Sequence, residues 1–203
     1  MAVRRTARLH HQLRPNKVTL DNINIQDYSS FIFPFLRNGI VLDSTVLYEL
    51  IDGIIRTRIG GESLDNSTDF QQINAVLDLL HLNQNTKKLY VTPHILTETC
   101  RYLQTFNYRK DYQTVVKEIF PLIEGMSEYP VSKEPFLKQI DQNKPVIEAG
   151  DLSIYVTADN FTNDKQKIAV LTKDGGIKNK LKDLPYVLVI DYRTIAYNLI
   201  YYS

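Results

Sequence analysis

The sequence predicts an α/β sandwich built on a mostly parallel sheet. Two observations predict it. Four short apolar runs, "GIVL" at 39–42, "LYVT" at 89–92, "KIAVLT" at 167–172 and "YVLVI" at 186–190, read as buried strands. A strand covered on both faces shows a continuous apolar run rather than polar alternation. Between these runs, apolar residues recur at helical spacing, so strands alternate with helices.

The elements follow in order. Gly39–Leu42 is the first strand. Ser44–Ile55 is a helix, with Val46, Leu47, Leu50, Ile51 and Ile54 on one side. The polar, Gly-bearing stretch 56–69 reads as a loop. Phe70–Leu82 aligns Ile73, Val76, Leu77 and Leu80 into a second helix. Leu89–Thr92 is a strand, and Pro93 suits the first turn of a helix that runs to about Phe106. Residues 107–147 are less regular. The expectation there is a helix over 112–126 broken near Pro121, then a short helix between loops within 129–145. Helices are expected from 150, from 175 to 184 and from Tyr192 to Tyr202, with strands at 167–172 and 186–190.

The chain has 203 residues, 43% of them hydrophobic and 23% charged, which suits one soluble domain with an extra arm. A net charge of +1 advertises neither a nucleic-acid nor a membrane partner, so any such partner must be met by local patches. Residues 1–37 are assigned as a basic arm or extension and 38–203 as the folded domain. In the arm Arg4, Arg5, Arg8, Arg14 and Lys17 precede the first acid, Asp21. A single cysteine, Cys100, excludes an intrachain disulfide, and no apolar segment follows the N-terminal arginines. No run approaches the roughly 20 apolar residues of a membrane span. The expected location is the cytoplasm.

In a parallel sheet of this kind, ligands sit beyond the carboxyl ends of the strands. The sequence places four acids there. Asp43 ends the first strand, Glu98 lies one to two helical turns past the second, Asp151 opens a helix, and Asp174 stands just past the third. Each has an ordinary explanation. Asp43 and Asp151 would serve as helix N-caps, Glu98 would pair with Arg101, and Asp174 would start a turn before two glycines. Gathered at one edge they would repel strongly unless a cation sat among them. All-oxygen ligands suit Mg²⁺ or Mn²⁺ better than zinc. Such sites clamp phosphates and activate water. No Walker-type phosphate loop is present, and His94, near Glu98, reads as a structural or surface histidine.

"IVLDSTVL", "LTETCRYL", "AGDLSIYVTA" and "AVLTKDGGIKN", in that order, resemble the four motifs of the PIN-domain ribonucleases. The matches span residues 39 to about 182. The resemblance implies a three-layer α/β/α sandwich and a metal-dependent endoribonuclease that cuts single-stranded RNA. It carries Asp43, Glu98, Asp151 and Asp174 over as the catalytic, metal-holding acids, with Mg²⁺ or Mn²⁺ as cofactor. Ser44, Thr45 and Thr172 become supporting hydroxyls. Lys173, Lys178 and Lys182 lie close to the acids in sequence and are candidate contacts to the RNA backbone, with ordinary solvation as their other reading. RNA is the expected partner; an inhibitor protein and a homodimer are compatible with the resemblance, and no membrane partner is expected. The family's aromatic residue shortly after the last Asp is replaced here by Gly175, Gly176 and Ile177.

Two rivals stand beside this reading. One is a PIN-like scaffold that binds RNA or protein without cutting. The other is an aspartyl-phosphate phosphohydrolase with Asp43 as nucleophile. That chemistry wants a second Asp two positions on, where this chain has Thr45.

Overall fold

The structure, a computed structural model, describes residues 25–65, 67–105, 112–141 and 148–202. Arg4, Arg5, Arg8, Arg14 and Lys17 of the basic arm lie outside the described residues.

The first helix, α1, spans Ile25–Leu36, and the first strand, β1, spans Ile40–Leu42. α2 follows over Ser44–Ile54 and α3 over Asp69–Leu79. β2 is Leu89–Val91, α4 is Pro93–Thr105 and α5 is Tyr112–Gly125. A short strand β3, Ser127–Glu128, precedes α6 at Lys133–Asp141 and α7 at Ala149–Asn163. The chain closes with β4 at Ile168–Thr172, α8 at Gly175–Leu181, β5 at Val187–Asp191 and α9 at Tyr192–Tyr202.

The five strands form one sheet in the order β3-β2-β1-β4-β5, and every pairing is parallel. Helices flank it, giving the three-layer α/β/α sandwich. The central strands explain why the sequence reads so clearly. Ile40, Val41 and Leu42 of β1 and Ile168 to Leu171 of β4 are all fully buried. Helix α2 seats Val46, Leu47, Leu50 and Ile51 in the same core. No helix among the described residues is long and apolar enough to cross a membrane.

Three expectations are corrected. The loop expected from residue 56 is helical for one more turn. A π-helical segment, Ile55–Ile59, extends α2, with Gly60 N–H donating to the Ile55 carbonyl. Its polar residues support it: the Thr57 hydroxyl donates to the Gly53 carbonyl at 2.7 Å, and Arg56 bonds Glu62. Second, α5 runs through Pro121 without the expected break. Third, β3 was not anticipated. It has two residues, neither buried, and pairs with β2 at the sheet edge. The boundary expected between arm and domain falls after α1, which contributes Ile32 and Leu36 to the core and packs on β4 and β5.

The topology directs attention to one place. From β1 the chain steps outward through β2 to β3, then returns to β4 on the other side of β1. The strand order therefore reverses between β1 and β4. In open parallel sheets the ligand crevice lies at such a switch point, beyond the carboxyl ends of the strands.

Candidate functional site

Asp43 follows β1 directly, and its N–H donates to the carbonyl of Leu171 on β4 at 3.1 Å. The register pairs Leu42 with Leu171, so Asp43 and Thr172 emerge side by side at the switch point. Asp43 is 3% exposed. It occupies the N-cap position of α2, yet its side chain makes no capping hydrogen bond. Its carboxylate instead accepts three hydroxyls: Thr172 at 2.7 Å, Thr45 at 2.8 Å and Ser44 at 3.3 Å. No lysine or arginine pairs with it among the described residues. Burial pushes its pKa above the ordinary value; the Thr172 and Thr45 hydroxyls pull the other way, and the charge of nearby Asp151 adds to the rise.

Asp151 sits in the first turn of α7, and Lys180 of α8 holds its Oδ2 at 2.6 Å. Thr92, which follows β2, bonds the buried Ser153 hydroxyl at 2.7 Å and so anchors that turn of α7 beside the strand ends. The Ser153 hydroxyl also reaches the Gly150 carbonyl.

Glu98, on α4, does not pair with Arg101 among the described ion pairs. It accepts the Gly150 N–H at 2.8 Å, satisfying one of the orphan donors at the start of α7. The two groups lie so close that a Cβ at Gly150 would strike the Glu98 carboxylate. Asp174 is exposed and caps its own helix, accepting the Gly176 N–H. Its backbone N–H donates to Thr172 Oγ1 at 2.8 Å. Thr172 thus links the last acid to the first: it accepts from Asp174 and donates to Asp43.

The structure therefore brings Asp43 and Asp151 within electrostatic reach, ties Glu98 to the residue before Asp151, and ties Asp174 to Asp43 through Thr172. It does not converge them fully. Among the described residues no three His, Cys, Asp or Glu side chains form a group arranged to hold a metal ion. The donor chemistry nevertheless fits a hard cation at Asp43 and Asp151. A buried carboxylate without a positive partner feels the charge of a second carboxylate, and every donor is oxygen.

Lys180 had not been singled out from the sequence. It lies 29 residues from Asp151 along the chain, and no local pattern joins the two. Lys173 is committed elsewhere, with its ammonium between Glu49 at 3.0 Å and Asp69 at 2.9 Å. Arg193 also bonds Asp69. Burial would raise the Asp69 pKa, but Arg193 and Lys173 outweigh it and hold the carboxyl down at about 2. Lys178 and Lys182 are exposed on and just after α8. His94 stacks on Phe136, with ring centroids 4.7 Å apart, in keeping with a structural role.

No known family model matches the chain, and no curated protein shows significant sequence similarity to it.

Proposed function

We propose that the protein is a PIN-type endoribonuclease that cuts single-stranded RNA with Mg²⁺ or Mn²⁺ and works in the cytoplasm. One observation carries the reading: a buried carboxylate, Asp43, at the switch point of a parallel sheet, bonded by three hydroxyls and unpaired with any described cation. Burying a charge in this way is costly unless something compensates it. A site that receives a divalent cation would account for that cost.

Asp43 and Asp151 are the residues that would hold the cation. When bound, it would lower the pKa of a coordinated water and offset charge developing on a scissile phosphate. The chain's own groups do the positioning. Thr172 and Thr45 fix one oxygen of Asp43, and Ser44 approaches the other. Lys180 neutralises Asp151, and its ammonium is the kind of donor that would meet a phosphate oxygen at this edge. Lys178 and Lys182, exposed and four residues apart on and just after α8, suit the RNA backbone.

The Asp151–Lys180 pair also favours a second reading, a scaffold that binds RNA without cutting, because the pair satisfies Asp151 with no metal. Incubation of a single-stranded RNA panel with Mg²⁺ or Mn²⁺ separates the two. Cleavage by the native protein, lost in a folded Asp43→Asn variant, supports the nuclease. Retention of RNA without cutting in either metal supports the scaffold. Cleavage equal in both proteins removes Asp43 from the chemistry.

A further inference from the structure

At the opposite end of the sheet from Asp43 lies a cavity of about 460 Å³ with a basic lining. Asn38 precedes β1, Lys167 precedes β4 and Tyr186 precedes β5, so the cavity sits at the amino ends of three adjacent strands. Arg37, Lys165 and Lys167 supply three positive charges. None of the three has an ion-pair partner among the described residues. The nearest acid in sequence, Asp164, does not line the cavity.

One of these cations, Lys167, is held in place by its neighbours. Lys167 is fixed at both ends. Its carbonyl accepts the Asn38 side-chain amide at 2.9 Å, and its ammonium lies 4.9 Å from the centre of the Phe35 ring. Lys165 occupies a left-handed backbone position, φ 57°, at the end of α7. Glycine or asparagine is the usual residue in that conformation, and a lysine there costs stability. The carbonyls of Asn160, Phe161 and Thr162 accept the N–H groups of Asp164, Gln166 and Lys165. The helix end itself accounts for the conformation: the bonds to Phe161 and Thr162 are those of a Schellman cap, which places this residue in the left-handed region.

We infer that this basic cavity binds backbone phosphates of a single-stranded RNA, as a second contact remote from the carboxylates. Three exposed cations around an open cleft suit a polyanion that tracks across the surface. The choice of RNA rests on the nuclease reading; the geometry of the cavity does not.

The test is anisotropy of a labelled single-stranded RNA in EDTA, over a range of salt, with the native protein and an Arg37→Ala, Lys165→Gly, Lys167→Ala triple variant. The triple variant is expected to bind at least about 10-fold more weakly, with the log–log salt slope reduced by about 2. Lys165→Gly alone is expected to melt at or above the native temperature, since glycine accepts the left-handed conformation freely, while still weakening binding. Unchanged affinity and salt slope in the triple variant overturn the inference, as does a nucleoside monophosphate that binds as tightly as the oligomer. Cleavage with Mn²⁺, assayed in parallel, keeps the two proposals apart. Native cleavage with undiminished binding by the triple variant overturns the cavity alone. Weakened binding with no native cleavage leaves the cavity standing and overturns the nuclease.

Discussion

The Thr172 hydroxyl donates to Asp43 Oδ2 at 2.7 Å, joining the ends of two neighbouring parallel strands, while accepting the Asp174 N–H. Replacing it with Val keeps the shape and removes both bonds. The buried Asp43 carboxylate loses a donor and the Asp174 N–H loses an acceptor. Thr172→Val is expected to cost about 1–3 kcal/mol, read by urea denaturation at pH 7. A change within about 0.5 kcal/mol, the range of an inert surface substitution, would contradict this assignment.

Asp43 should itself cost the metal-free protein stability. Its folded pKa is raised above 3.8 by burial, with the charge of Asp151 adding to the effect. Between 3.8 and the folded pKa the folded chain binds more protons than the unfolded one. Stability therefore falls as pH rises through that window, and the cost is fully present at neutral pH. In EDTA, Asp43→Asn is expected to melt higher than the native protein at pH 7, with the gap closing as the pH drops toward 4. A variant that melts lower at pH 7 would show that the hydroxyls more than compensate the buried charge.

Asp69 has the opposite sign. Arg193 and Lys173 hold its pKa at about 2 against the effect of burial. Its contribution is present above 3.8 and lost as the pH falls from there toward 2. Asp69→Asn is expected to lose on the order of 1 kcal/mol at pH 7, allowing for solvent screening of this half-open network. Comparing acid denaturation of the two proteins checks it. An unaltered acid limb would mean that the network contributes nothing.

What could be read in advance follows from how locally each feature is written. β4 was legible because Ile168 to Leu171 are buried on both faces and no polar residue interrupts them. Asp43 and Thr172 were legible because each ends an apolar run. β3 was not, since Ser127 and Glu128 are polar and take their strand character from β2. The turn at Ile55–Ile59 was hidden because Arg56, Thr57 and Arg58 look like loop residues, yet bonds to Glu62, Gly53 and Glu118 hold them in helix. The ion pairs were the least visible part. Lys180 finds Asp151, and Lys173 finds Glu49 and Asp69, across 29, 124 and 104 residues. Nothing near a lysine in sequence announces such a partner, which is why Lys173 reads only as solvated or as a candidate RNA contact and Lys180 does not stand out.

Glu98 and Gly150 should be energetically coupled. Gly150→Ala forces the flexible Glu98 carboxylate to swing away from the Gly150 N–H and is expected to cost about 1 kcal/mol, the loss of that bond. Glu98→Ala removes the acceptor for the Gly150 N–H and is expected to cost about 1 kcal/mol, as for a lost helix cap. The double variant should be more stable than the sum predicts, because both single variants lose the same bond. Strict additivity in a denaturation cycle would contradict the contact.

Lys180 should compete with the metal. In EDTA, Lys180→Met leaves Asp151 unpaired near Asp43 and is expected to lower the melting temperature. Saturating Mn²⁺ should then raise the melting temperature of the variant more than that of the native protein. Equal Mn²⁺ shifts in the two would separate Lys180 from the metal site.

The most direct test is calorimetric titration of Mn²⁺ into the native protein and into Asp43→Asn, each shown to be folded. The account predicts saturable binding to the native chain and affinity reduced at least about tenfold, about 1.4 kcal/mol, in the variant. Equal binding by both proteins, or no binding by the native one, would contradict it.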